Sequence, residues 1–227
     1  MLVSQFRDAL TVPFWSPVEV ESALRAAMLH LREGGVLAYP TETVYGFGTA
    51  VDHASVEALV QLKGRPPGKP FLLLINDPLQ IARLDLHLPT YAATLAARFW
   101  PGPLTLVLRG GDRRVSPRLR GPEGGVAVRW TPHLGLQRLL TAYGEPITST
   151  SANRPGVPPA MTASEIVEQW PEAIHRGVLT VLDGGRLAPS RSSTVVDCTG
   201  RRPRVIRPGV FTAIQLRECV PDLVGDT

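Results

Sequence analysis

Cysteine is nearly missing from this chain of 227 residues, which has only Cys198 and Cys219. Two cysteines cannot build a disulfide framework. Neither stands beside a second Cys or a His at metal-ligand spacing, so zinc and iron–sulfur readings fall away. Long apolar runs are also lacking. The longest, Phe71 to Ile75, is far short of the roughly 20 residues a membrane-crossing helix needs, and the N-terminus has no basic start leading into an apolar core. The expected location is cytoplasmic. Aromatic residues make up only 6% and do not interleave with the basic stretches, so platforms for stacking nucleic-acid bases are not evident. Charged residues reach only 19% against 44% hydrophobic, with a mean hydropathy of +0.04, which excludes a disordered chain and supplies a real core.

Two further scarcities are informative. Of the 24 basic residues only Lys63 and Lys69 are lysines, and Asn76 and Asn153 are the only asparagines. In so depleted a composition, the few that are kept are candidates for work their substitutes cannot do. The net charge of +4 and pI near 9.5 fit either an anionic partner or an arginine-rich solvated surface.

The length suits one large α/β unit, with residues 1–15 as a leader segment, 16–210 as the catalytic domain and 211–227 as a C-terminal tail. Ser16-Pro17-Val18-Glu19 is a capping box with Pro at the first helical position, and Gly34-Gly35 ends that helix. Helices are further expected near 55–62, 78–84 and 90–99, from His133, and after a second capping box, Thr162 to Glu165. Strands are expected at 36–39, 71–76, 104–108 and 126–130, at a run ending near Thr148, and at 178–182, 194–197 and 204–206. Several strands follow one another with no helix between them, which predicts a mixed sheet rather than a purely parallel one. Arg154 to Pro159 has a linker's composition, but strands continue beyond it, so it reads as a rigid loop.

Three stretches carry chemistry. Pro40 to Gly48 (Pro-Thr-Glu-Thr-Val-Tyr-Gly-Phe-Gly) follows a buried strand directly, where an α/β sheet binds ligands and glycines admit close approach. The same stretch also fits a turn with a hydroxyl cap. Lys63-Gly64-Arg65-Pro66-Pro67-Gly68-Lys69 gathers three cations on a stiff loop, which suits a phosphate or carboxylate cradle or else a solvated basic loop. It lacks the Gly-Lys-Ser/Thr of a Walker loop. Thr148-Ser149-Thr150-Ser151-Ala152-Asn153 offers hydroxyls and an amide that can bind anions without adding charge. Ser192-Ser193-Thr194 and Arg207-Pro208-Gly209 are weaker echoes. None of the five histidines is flanked by a Ser or Cys elbow, and Glu42 is the lone carboxylate among these stretches, open to a structural, basic or metal-holding role.

Taken together, Pro-Thr-Glu-Thr-Val-Tyr-Gly (40–46), Lys-Gly-Arg-Pro (63–66), Phe-Trp-Pro-Gly-Pro-Leu-Thr (99–105), Val-Ala-Val-Arg (126–129), Ser-Ala-Asn (151–153), Ser-Thr-Val-Val-Asp (193–197) and Arg-Pro-Gly (207–209) resemble, in order, the YrdC-like family of L-threonylcarbamoyladenylate synthases. The resemblance spans roughly residues 20–210. It implies a twisted mixed sheet with flanking helices around a basic concave cavity. The implied activity is a nucleotidyl transfer that makes threonylcarbamoyl-AMP and pyrophosphate from L-threonine, bicarbonate and ATP, toward threonylcarbamoyladenosine in tRNA. It further implies that Lys63, Arg65, Lys69, Ser151, Asn153 and Arg207 line the ATP side, Lys63 and Arg65 being catalytic, and that Thr43, Arg129 and Ser149 contact threonine with Thr41 close by. Mg²⁺ is expected with ATP, held mainly by the nucleotide. Downstream threonylcarbamoyl-transferase proteins are expected partners, with tRNA bound weakly at most. Phe47 and Phe71 stand where the family commonly has Leu, and Pro155 and Pro159 where serines are frequent. An RNA-binding module of this fold, and a paralogous carbamoyl-transfer enzyme, are the alternatives.

Overall fold

The computed structural model describes residues 11–64 and 70–225. Its first elements are β1 (Val12–Pro13), α1 (Pro17–Arg32), β2 (Val36–Tyr39), β3 (Gly46–Gly48) and α2 (His53–Lys63). Next come β4 (Leu72–Ile75), α3 (Leu79–Arg83), β5 (Leu86–His87), α4 (Thr90–Phe99), β6 (Leu104–Gly110) and β7 (Val126–Trp130). The chain continues through α5 (Leu134–Tyr143), β8 (Ile147–Ser151), α6 (Ala163–Gln169), α7 (Pro171–His175) and β9 (Leu179–Asp183). It closes with β10 (Thr194–Asp197), β11 (Arg204–Arg207) and α8 (Ala213–Arg217). Where one α/β unit is expected, the chain groups into two compact ones, 11–64 with 133–189 and 70–132 with 190–225. Two of the crossings lie in loops, at 132–133 in the short turn 131–133 and at 189–190 in the longer loop 184–193.

In the first unit the strands run in the order β1-β9-β2-β3-β8. β9 is parallel to both β1 and β2, while β3 is antiparallel to both β2 and β8, so this sheet is mixed as expected. α1 begins at its capping box: Ser16 Oγ accepts from Glu19 N at 3.3 Å, and the Glu19 carboxylate accepts from Ser16 N at 2.8 Å. Val20, Ala23, Leu24, Ala27 and Leu31 recur at helical spacing and are buried. At its end the His30 ring takes the place a side chain on Gly35 would need, and Nε2 donates to the Val36 carbonyl at 3.0 Å.

In the second unit the order is β4-β7-β6-β10-β11, with β5 added at the far end of β6. β4 with β7 and β6 with β10 are parallel, and β6–β7 and β10–β11 antiparallel. Phe-Trp-Pro-Gly-Pro-Leu-Thr is a structural clip here. Trp100 Nε1 donates to Leu104 O at 2.6 Å, closing the turn from α4 into β6.

Four expectations are corrected. Part of the segment read as a leader is in the sheet, because Val12–Pro13 is a strand and Val12 and Phe14 are buried, and two residues are too few to show an alternation. The tail read from residue 211 packs on the second unit, with Leu216, Val220 and Leu223 buried and Val205 N bonded to Val224 O. The run expected to end near Thr148 continues to Ser151, since Phe47 and Gly46 of β3 pair with Thr150 and Ser151. The Gly-Phe-Gly expected in a ligand loop is that strand itself. Its glycines make room for Tyr39 and for the carbonyls of β8. A Cβ on Gly48 would stand 2.1 Å from Thr148 O and 2.6 Å from Tyr39 Oη, and one on Gly46 would stand 3.1 Å from the Tyr39 ring. Tyr39, fully buried, lies across β3 and donates to Thr148 O at 2.9 Å.

Gly48→Ala must therefore push both the Thr148 carbonyl and the Tyr39 side chain aside, a strain of about 3 kcal/mol that should lower the melting temperature by roughly 6–12 °C. Tyr39→Phe keeps the ring and loses one hydrogen bond, about 1 kcal/mol. Thermal denaturation of the two variants checks the order; equal losses would contradict this account of the glycines.

Burial lowers the pKa of His30, with the Val36 and Val178 backbone and Glu33 opposing it. It also lowers that of His133, which Glu42 partly raises. His133 caps α5 by accepting from Leu136 N at Nδ1 (3.2 Å), which only the neutral ring can do. With the folded values below the unfolded value of about 6.5, the stability these rings confer is present above pH 6.5 and is lost as pH falls through the folded values. Melting temperature should decline from pH 6.5 downward, and His133→Asn, which preserves a capping acceptor, should flatten part of that decline. A melting temperature constant from pH 8 to 5.5 would refute this.

Candidate functional site

In the first unit Lys63 is the last residue of α2, and Gly64 at φ 57° ends the helix in the left-handed region. A cation suits a helix C-terminus. Its side chain is 7% exposed and spans to the end of β8. There Nζ donates to Ser151 O at 2.7 Å, to Asn153 Oδ1 at 2.8 Å and to Asn153 O. Three hydrogen bonds match the three N–H bonds of an ammonium. The sequence reading aims this ammonium at a substrate anion; the structure directs it onto the Ser-Ala-Asn turn. Asn153 Oδ1 also accepts from Ser151 Oγ at 2.7 Å, and Asn153 Nδ2 donates to Val157 O at 2.6 Å. The amide orientation is thereby fixed. The loop that follows, with Pro155 and Pro159, is closed by Ala160 N to Ala152 O at 2.9 Å.

Alternation along β8 divides its hydroxyls. Ser149 and Ser151 share the face of Gly46 and Gly48, while Thr150 shares that of Phe47. Thr148 is structural: its Oγ1 accepts from Thr49 N at 2.9 Å. Ser149 is buried, and its hydroxyl lies beside Gly46, 3.4 Å from where a Cβ would be.

The turn from β2 into β3 is organised by Thr41. Its Oγ1 accepts from Thr43 N and Val44 N, both at 3.1 Å, and donates to Val44 O at 2.6 Å. The Thr43 hydroxyl lies 3.0 Å from it, and either oxygen can be the donor in that contact. Tyr45 is an anchor: its hydroxyl donates to Gly185 O at 2.8 Å and accepts from Gly184 N at 3.0 Å, and burial pushes its pKa up to about 12. Glu42 lies close enough to His133 to raise that ring's pKa.

In the second unit, strand register assembles the site residues. Arg129 is level with Leu74 on β4 and follows Val128, which is level with Leu106 on β6; Thr105 is level with Val195 and Val195 with Arg207, and the Arg129 charge is near enough to lower the Arg207 pKa. Arg129 is 4% exposed. Arg207 donates through Nη2 to Ser193 O and Ser193 Oγ, both at 2.8 Å, and its pKa is lowered by burial first and then by the Arg129 charge. Ser193 Oγ in turn lies 2.9 Å from Thr105 Oγ1.

Sequence reasoning missed Ser193 and Thr105. For Ser193 the signal was the two faint echoes, Ser-Ser-Thr and Arg-Pro-Gly, which the structure joins: Gly209 has no room for a Cβ, which would stand 2.3 Å from Ser192 O, and Val210 N bonds to Ser192 O. Arg65 and Lys69 lie outside the described residues. Among the described residues no group of three His, Cys, Asp or Glu side chains is set to hold a metal ion, and no helix is long and apolar enough to cross a membrane.

Comparison with known proteins agrees with this geometry. Residues 30–209 match the Sua5/YciO/YrdC family model, described as "Telomere recombination". A threonylcarbamoyl-AMP synthase of Pyrococcus abyssi is 36% identical over 205 residues, covering 89% of this chain; the chain spans only 58% of that relative's length. A threonylcarbamoyl-AMP synthase of Chromohalobacter salexigens is 37% identical over 180 residues, covering 79% of this chain and 94% of its own length. The crystal structure of P. abyssi Sua5 complexed with L-threonine superposes with a TM-score of 0.85 at 32% identity, over 95% of this chain and 63% of that one. With the family model covering most of the sequence and the fold shared, the chain belongs to the Sua5/YciO/YrdC family.

Proposed function

We propose that the protein joins L-threonine, bicarbonate and ATP into threonylcarbamoyl-AMP, releasing pyrophosphate and water. The observation that carries this reading is the Lys63 clamp, a buried ammonium that fixes a turn of hydroxyl and amide groups suited to phosphate oxygens. The names and folds of the relatives support the same activity.

In this reaction threonine's amine adds to bicarbonate and water leaves, giving a carbamate. A carbamate oxygen then attacks the α-phosphorus of ATP, and pyrophosphate departs with the electron pair of the broken P–O bond. The nucleophile comes from the substrates, so the protein has to hold anions and offset charge growing on phosphate, where one well-placed donor is worth about 3 kcal/mol. The side chains fit that division. The Cys198 thiol, raised by burial to about 12, and the Tyr45 phenol both stay protonated. Ser151 Oγ can turn its proton from Asn153 to a phosphate oxygen, Thr43 Oγ1 can accept from threonine's N–H, and Arg129 and Arg207 offer forked donors to carboxylate or phosphate. Lys63 and Arg65 are the proposed charge-stabilising pair. These hydroxyls, amides and cations suit phosphate oxygens better than a hard cation, so Mg²⁺ is proposed to arrive on the ATP. Delivery of the product to a tRNA-modifying transferase in the cytoplasm, with tRNA itself bound weakly at most, completes the reading.

Pyrophosphate release by the pure protein should require threonine and bicarbonate together. Comparable release with no amino acid present would defeat the proposal.

Lys63→Arg tests the clamp. Three acceptors converge on one nitrogen, whereas a guanidinium spreads its donors over a plane and needs more width. Despite the conserved charge it should lose roughly 10²-fold in kcat/KM for ATP, as a misplaced binding loop would, and Lys63→Ala should lose at least as much. Wild-type turnover and ATP KM in Lys63→Arg would show that the reaction does not need this geometry.

A further inference from the structure

Thr105 in β6 and Ser193 just before β10 are 1% and 2% exposed, and their hydroxyl oxygens lie 2.9 Å apart. Arg207 belongs to the same unit and spends one edge of its guanidinium on Ser193: Nη2 donates to Ser193 Oγ and Ser193 O, and Nε to Ser193 O at 3.3 Å. Nη1 has no such bond among the described residues. The three residues come from three separate stretches that carry the family resemblance, Phe-Trp-Pro-Gly-Pro-Leu-Thr, Ser-Thr-Val-Val-Asp and Arg-Pro-Gly.

The hydroxyl protons can be counted. Each hydroxyl has one proton to give, so the pair holds two, and the contact between them uses only one. Neither hydroxyl has a further acceptor among the described residues, which leaves one buried O–H in excess. A buried donor of that kind is costly unless something accepts from it. If Ser193 donates to Thr105, the spare proton is on Thr105. If Thr105 donates, Ser193 Oγ accepts twice, from Thr105 and from Arg207, and its own proton points away from both. Only in the second arrangement do the spare O–H and the uncommitted Nη1 of Arg207 lie on directly bonded partners, a donor set for one oxygen anion.

We infer that Thr105 is a positioning residue: it donates to Ser193 Oγ and so turns the Ser193 proton toward an oxygen anion held by Arg207. The inference rests on the functional reading above, in which that anion is a phosphate of ATP or the carboxylate of threonine. Thr105 acts only through Ser193.

The test separates the hydroxyl of residue 105 from its methyl group. Thr105→Val keeps the shape and loses the donor, whereas Thr105→Ser keeps the donor and loses the methyl. Kd for ATP and Kd for threonine are read by calorimetry, and KM from pyrophosphate release, below the melting temperature of every variant. Thr105→Val should raise Kd and KM about tenfold for whichever substrate supplies the anion, the loss expected for one hydrogen bond to a charged group. Thr105→Ser should stay within about twofold of wild type, even where its melting temperature falls. A residue that only packs gives the opposite order. In a Ser193→Ala background Thr105→Val should cost nothing further, because its route to the substrate is already gone. The inference is overturned if Thr105→Val binds both substrates as wild type does, if Thr105→Ser is as impaired as Thr105→Val, or if the losses of Thr105→Val and Ser193→Ala add. Should Thr105→Val fail to fold, Thr105→Cys, with a far weaker donor, decides by the same criterion. A wild-type protein that binds both substrates but releases no pyrophosphate refutes the functional reading alone, and calorimetry still decides the role of Thr105; one that binds neither refutes both.

Discussion

A buried ammonium needs acceptors converging on it, and that demand on Lys63 shapes the first unit. Left without partners at 7% exposure, the charge would cost more than any single packing contact returns. Loop conformations in which Ser151 O, Asn153 O and Asn153 Oδ1 do not converge are therefore disfavoured together. Much of the neighbourhood serves this convergence. Gly64 ends α2 where the lysine can turn back, β8 runs on until its last residue supplies a carbonyl, and Asn153 has its amide locked from the other side by Val157. Arginine, used at nearly every other basic position, cannot meet the same set of acceptors.

The second unit reaches a comparable result through sheet register. Parallel and antiparallel pairings alternate across β4-β7-β6-β10-β11, yet the register keeps Thr105 and Arg207 level through Val195, with the Arg129 charge close by. Two neighbouring arginines repel, and the lowered pKa of Arg207 records part of that repulsion. Ser193 offsets it by presenting both a carbonyl and a hydroxyl to the Arg207 fork. Such a pair is a poor design for stability alone, because like charges set close together oppose folding; it suits an anion.

Local signals were legible where one residue type dictates a local geometry. The Ser16–Glu19 box, the apolar run 36–39 and the helix 90–99 stand where their sequence puts them, because caps and periodicity act within a few residues. Lys63, Ser151 and Asn153 were legible as candidates from scarcity and chemistry, though not that they would face one another, since α2 and β8 are brought together only by the tertiary fold. The glycines of β3 misled for a related reason: close approach by a ligand and close approach by Tyr39 leave the same mark in sequence. Ser193 and Thr105 were illegible because their meaning depends on strand register, which distant residues determine.

Tyr39, Gly46 and Gly48 also bear on how this chain can change over generations. Because the phenol ring occupies the volume that side chains on both glycines would fill, the three positions amount to a single choice. At 48 even a smaller ring leaves the Thr148 carbonyl 2.1 Å from a new Cβ, so that glycine is held by backbone as well as by Tyr39, and a shrunken ring leaves a void unless 46 grows. Any intermediate passes through overlap or a cavity. Lineages descending from this sequence should accordingly keep Gly48 and change 39 and 46 only in closely linked steps, even though none of the three has been assigned to the chemistry.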